Sequence, residues 1–210
     1  MTVLLPMLMA YSLIGEKFHE IIGTGMLVLF ICHNWLNRGF WKGLFKGKYN
    51  PQRIFRAIVN VALLVMVILQ PLSGIAMSKY LYTFLPQMNI SAAARQVHLV
   101  LAYWAFVVMS VHAGTHFSMF VPKLTKRMNK TVKSVAEIGC LVIAGYGVYA
   151  FIKRQLPDYM FMKMSFAFLD YSEPRVYFFL DYIAIMLLFA VIGYLIIAGP
   201  GMLSRKNRRE

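Results

Sequence analysis

Five stretches of this chain stay apolar for long enough to cross a lipid bilayer, and nothing else in the sequence narrows the possible folds as far. A spanning helix needs about 20 mostly apolar residues, with a tolerated range of about 17–25. The runs Phe18–Leu36, Ala57–Ser78, Val97–Val121, Ser134–Ile152 and Val176–Ala198 meet that requirement. A backbone in hydrocarbon must satisfy its own hydrogen bonds, so such runs are expected to be helices. A further run, Thr2–Ile14, is too short to cross alone at about 1.5 Å per residue. It is expected to be completed by a distorted membrane, a partner or upstream residues. Composition agrees: 60% of the residues are hydrophobic and only 14% charged, whereas a soluble domain carries about 25% charge. The expected fold is all-α, a polytopic membrane bundle of about six transmembrane helices forming a single domain over residues 1–210.

Charge then orients the chain. Of its 22 Lys and Arg residues, six lie in Asn37–Arg56, five in Phe120–Ser134 and four after Leu203. All fifteen fall on one side if every run spans, so the positive-inside rule predicts six crossings with both termini in the cytoplasm. The net charge of +14 is thus topological, and nucleic acid is not expected as a partner. The lipid membrane is. The loop residues Phe40, Trp41, Lys42, Phe45 and Lys46 suit either an amphipathic helix on an anionic leaflet or a solvated basic loop. Leu156–Pro174, rich in Met and aromatics but broken by charges, is expected at the opposite interface. Cys32 and Cys140 both sit inside apolar runs, which argues against a disulfide framework or a cysteine zinc site. No CxxCH is present, so covalent c-type haem attachment is excluded.

All five histidines fall on two of the apolar segments: His19 and His33 on one, His98, His112 and His116 on the other. His19 and His33 are fourteen residues apart, and so are His98 and His112. Fourteen positions return to nearly the same helix face, about 21 Å further along the axis. The two segments are separated by one crossing and run parallel, so His19 lies level with His98, and His33 with His112. A lone membrane histidine usually bonds a neighbouring helix or relays protons. Two matched pairs at two depths instead suit axial ligation of two haems by neutral imidazole. His116, one turn beyond His112, is an alternative inner ligand, a hydrogen-bond partner for a quinone or propionate, or a packing residue.

Small residues beside the ligands, namely Gly23, Gly25, Ala102, Ala105, Ala113 and Gly114, fit a flat macrocycle wedged between helices, although they serve close helix packing equally well. Propionates require cationic partners: Arg95, Lys17 or Lys79 are placed for the outer haem, and Arg38, Arg53 or Arg56 for the inner one. Tyr103 and Trp104 read as core. Glu20, Glu137, Asp181 and His116 are candidates for handling protons, with Glu137 and Asp181 better read as interfacial.

The stretches MAYSLIGEKFHEIIG, FICHNWLNRGFWKGLFKGKYNP and ARQVHLVLAYWAFVVMSVHAGTHF resemble a bacterial family of small six-helix membrane proteins of unassigned function that are taken to bind haem. They resemble more distantly the respiratory cytochrome b core and the ferric-reductase-like transmembrane core, which share ligand pairs about fourteen residues apart. The likeness runs over about Met1–Phe117. It implies a four-helix haem-binding core over about residues 15–121, accessory helices over 134–198, and two bis-His haem b groups on His19, His33, His98 and His112. It also implies a bacterial inner membrane location. Relatives often carry two adjacent histidines where this chain has His33-Asn34, leaving His33 as the inner candidate on its helix. They also usually begin with a polar basic segment that is missing here.

With both axial positions closed, such haems suit electron transfer. The loops are shorter than about 20 residues, too short for a dinucleotide-binding βαβ unit of about 30 or more. A quinone or a redox partner protein, in a larger oxidoreductase, would therefore supply or accept electrons. The competing expectations are a histidine-dependent metal or proton transporter, whose ligands should converge at one depth, and a structural anchor subunit whose histidines only pack.

Overall fold

The computed structural model describes residues 1–85 and 92–206, with side chains described from 94 to 199 in the second stretch. Among the described residues there are nine helices and no strand: α1 (Leu4–Met9), α2 (Tyr11–Ile14), α3 (Glu16–Leu36), α4 (Arg38–Gly43), α5 (Pro51–Ala76), α6 (Ala92–Thr125), α7 (Lys130–Lys153), α8 (Leu156–Met160) and α9 (Arg175–Lys206).

Local chemistry sets several of these boundaries. Asn50 is extended and its side chain accepts from the Arg53 amide at 2.8 Å, with Pro51 in the first turn, so α5 starts there. Asn129 caps α7 in the same way, accepting from the Thr131 amide. Gly15 separates α2 from α3 at φ +80°, a conformation open to glycine. Gln155, left-handed at φ 54°, ends α7, and Pro157 opens α8.

Among the described residues four helices are long and apolar enough to cross a membrane: α5, Ala94–Thr125 of α6, α7, and Arg175–Gly199 of α9. α3 has 21 residues, about 31 Å by helical rise. His19, Glu20, His33 and Asn34 make it more polar than those four. Thr2–Ile14, the expected partial sixth crossing, is not among these spanning candidates. That segment breaks at Ala10 into helices of 6 and 4 residues, which together reach about half of a hydrocarbon core. It packs instead along α3 and α9, burying Leu5 and Ala10 in the cluster that holds Tyr103, Phe106 and Ile185.

The tightest seams join α6, α9 and α7. A Cβ on Gly114 would meet the Ala190 carbonyl oxygen at 1.9 Å, one on Gly193 the Val111 oxygen at 2.2 Å, and one on Gly147 the Ala184 oxygen at 2.5 Å. Only glycine permits such backbone approach, the usual device of membrane helix packing. Gly114 therefore serves the α6–α9 seam, the close-packing alternative that its sequence position left open. Leu156–Pro174 does more than lie at an interface. α8 turns inward, burying Leu156, Tyr159 and Met160, with Tyr159 stacked on Tyr103 at 4.5 Å and the Trp104 indole donating to the Met160 carbonyl at 3.0 Å.

Residues 37–56 and 120–134 lie at one end of the bundle, where Arg56 of α5 reaches Thr115 and Ser118 of α6. This is the basic end. The basic residues Arg208 and Arg209 lie outside the described residues.

Candidate functional site

The four expected ligand histidines come together as two pairs. His19 of α3 faces His98 of α6 with ring centroids 6.3 Å apart and planes at 70°. His33 faces His112 at the same 6.3 Å, with planes at 81°. The paired helices otherwise stand apart, with sparse contact between their backbones. Fourteen residues separate the pairs on each helix, so the two levels lie about 21 Å apart.

At the level remote from the basic end, α5 holds His98. Ser73 Oγ lies 2.8 Å from both the Gln70 carbonyl and His98 Nδ1, and with the hydroxyl proton on that carbonyl the imidazole donates its Nδ1–H to Ser73. That leaves a lone pair on His98 Nε2, toward which the Gln70 amide nitrogen points at 3.2 Å. Gly74 permits the approach, since a Cβ there would meet His98 Cε1 at 3.2 Å. At the other level, His112 Nδ1 lies 2.8 Å from Asn60 Oδ1, an oxygen that can only accept. The same tautomer results, again with Nε2 unprotonated.

His19 has a different setting. The Tyr11 ring meets it edge-on at 5.2 Å, and the Tyr11 hydroxyl donates to Glu16 at 2.9 Å, which in turn pairs with Lys79 at 2.8 Å. Partial burial, with the bond to Glu16, pushes the Tyr11 phenol up to about 12, so it stays a neutral donor. Among the described residues, two buried side-chain polar atoms lack a hydrogen-bond partner, His19 Nδ1 and Gln70 Oε1. Both belong to this level.

In each pair the ring separation suits one iron shared by two imidazoles. A metal–imidazole bond of about 2 Å and a ring radius just over about 1 Å put the centroids of two trans imidazoles about 6.3 Å apart. Both pairs have that separation. Among the described residues no group of three or more His, Cys, Asp or Glu side chains could hold a bare metal ion. The imidazoles meet in twos, which serves an ion whose other ligands come from a macrocycle. A methyl on Gly25, between the levels on α3, would touch nothing within 4 Å.

The remaining candidates divide. His116 lies against His112, ring centroids 4.7 Å apart, but is exposed and faces no histidine of α3 as closely as His112 does. Arg56 is half-buried and donates to Ser118 Oγ at 3.2 Å, with the Thr115 carbonyl at 3.5 Å, so it stands beside the pair at the basic end. Arg95 is exposed one turn before His98. Arg38 folds onto its own helix end, over the Trp35 ring and donating to the Trp35 carbonyl at 3.3 Å. Arg53 is committed to the loop carbonyls of Gly43, Lys46 and Lys48, and Lys79 to Glu16.

Glu20 clasps the turn after α5: its carboxylate accepts from Ser78 Oγ at 2.7 Å and from the amides of Lys79, Tyr80 and Leu81. Glu137 pairs with Lys133 on the surface of α7. Asp181 is wholly buried and bonded to Tyr146, Lys153 and Arg154, in an ion cluster at the end of the bundle remote from the basic loops. Asn60, Gln70 and Ser73 did not emerge as candidates from sequence, although they are the only strongly polar side chains between Arg56 and Ser78. An intramembrane polar residue is itself a functional signal.

No family model, curated protein or solved structure matches this chain.

Proposed function

We propose that this protein is a di-haem b-type membrane cytochrome. It carries electrons between a quinone pool or redox partner protein and an acceptor on the opposite side of the membrane, as the membrane subunit of an oxidoreductase. The observation that supports this reading best is that two histidine pairs, on separate levels of the same two helices, share one ring separation of 6.3 Å. Haem held between two imidazoles supplies one-electron reduction and re-oxidation with its axial positions closed to oxygen.

The chain's own residues have defined tasks in this reading. His19 and His98 hold one haem, and His33 and His112 the other. Ser73 and Asn60 keep the α6 imidazoles in the ligating tautomer. Arg56 offers a cation beside the level at the basic end, and Arg95 one beside the other level. α3 completes a fifth crossing, since its 21 residues match about 30 Å of hydrocarbon. The basic end faces the cytoplasm by the positive-inside rule, in the inner membrane of a bacterium. Ligands on two levels also favour this reading over a metal or proton path, which would gather them at one depth.

The test is a dithionite-reduced minus oxidised spectrum of the purified protein, with haem per chain from the pyridine haemochrome. Two b-type haems per chain are expected. Protein made with ample haem supply that carries none overturns the reading.

A further inference from the structure

The two helices that face each other at the histidine pairs are held very differently. α6 is fixed on both sides, by the glycine seam with α9 and by α5, and buries Val100, Tyr103, Phe106, Val107, Ser110 and Thr115. Both of its facing imidazoles are tied at Nδ1 to acceptors on α5, each at 2.8 Å. α3 buries Met26 alone. Among the described residues, His33 has no side-chain hydrogen-bond partner, and His19 Nδ1 is one of the two unpaired buried atoms.

The acceptors on α5 follow from the antiparallel run of α5 and α6. Asn60 and Ser73 are thirteen residues apart, about 20 Å along the axis, and so match the spacing of His112 and His98 in reverse order. An Nδ1–H bonded to an oxygen acceptor fixes the ring and makes the opposite nitrogen a better donor to a metal.

From this, and resting on the di-haem reading, we infer that Ser73 and Asn60 are positioning residues that make His98 and His112 the fixed ligand of each haem. α3 then supplies the yielding ligand, which closes on the cofactor after α5 and α6 have received it.

The experiment uses the full-length protein in detergent, loaded with haem. Replacing His19 or His33 by Ala is expected to leave the haem of that level bound through α6 in a five-coordinate, high-spin form, and added imidazole restores the low-spin spectrum. Replacing His98 or His112 by Ala is expected to empty the level. The variants Ser73→Ala and Asn60→Leu keep all the histidines, so their folding does not depend on losing a ligand. They are expected to weaken haem retention about 10–100-fold and to raise the reduction potential of their own level only, because a less basic imidazole stabilises ferric iron less. Ser73→Thr, which keeps the hydroxyl, restores both. Equal haem loss from α3 and α6 variants overturns the inference, as does an unchanged potential and retention in Ser73→Ala and Asn60→Leu. Either result, with two haems in the unaltered protein, leaves the cytochrome reading standing. Unaltered protein without haem overturns that reading first.

Discussion

A methyl group at Gly114 would come within 1.9 Å of the Ala190 carbonyl oxygen, and backbone cannot give way as a flexible side chain can. Gly114→Ala is therefore expected to push α6 from α9 and lower stability by about 2–3 kcal/mol or more, the range for forcing extra volume into a packed interior. Gly25→Ala, with nothing within 4 Å of its Cβ, is expected to be neutral or slightly stabilising to the helix. Thermal unfolding of both variants in one detergent checks the contrast, and equal melting temperatures would contradict it. The pair also marks what a sequence can tell at this scale. Glycine beside histidine is the same signal whether the space is taken by a cofactor or by a neighbouring helix, so the sequence leaves Gly114 open between the two and the packing against Ala190 decides it. The histidine spacing puts His19 level with His98 and His33 level with His112, and those rings do face each other with centroids 6.3 Å apart. Ser73 and Asn60 were legible as polar residues in an apolar run, but the register of α5 against α6 that gives them their partners is a property of packing.

At the scale of elements, α3 is secured chiefly at its ends. Glu20 accepts from Ser78 and from three successive amides beyond α5, and Trp41 of α4 donates to Asn34 at 3.1 Å. Truncating Glu20 to Ala leaves those donors without their charged acceptor, a loss of about 2 kcal/mol. It should make the segment 77–85 newly sensitive to protease, with Glu20→Gln intermediate because it still accepts. A Glu20→Ala protein with unaltered stability and protease resistance would contradict the clasp. The long helices were legible as apolar runs, although helix continues past the expected ends by up to eight residues, at the C-terminal end of α9. The break at Ala10 and the inward turn of α8 were not, since both depend on what the rest of the bundle leaves for them to cover.

The whole molecule keeps its charge at its two ends. At the end remote from the basic loops, Lys153 and Arg154 bind Glu173 and Asp181. The bond from Lys153, with a further one from Arg154, holds the Glu173 carboxyl below the usual range. A depressed carboxyl stabilises the fold fully above its unfolded value, about 4.3, and loses that contribution as pH falls through the lower folded value. Melting temperature should therefore drop as pH falls below about 4.3, and Glu173→Gln should flatten that drop while lowering stability at neutral pH. An identical acid profile in the variant would remove Glu173 from the account.

The fourteen-residue interval that repeats on α3 and α6 also has an electrical meaning. A charge moved from one imidazole pair to the other travels about 21 Å through a hydrocarbon core about 30 Å thick. A full crossing is worth about 2.3 kcal/mol per 100 mV, so this partial one is worth about 1.6 kcal/mol, or more than tenfold in an equilibrium constant. In the proposed di-haem reading, membrane voltage then acts as a reactant, and in vesicles polarised by about 100 mV the two levels should settle at redox ratios about tenfold away from those in vesicles whose potential has been collapsed.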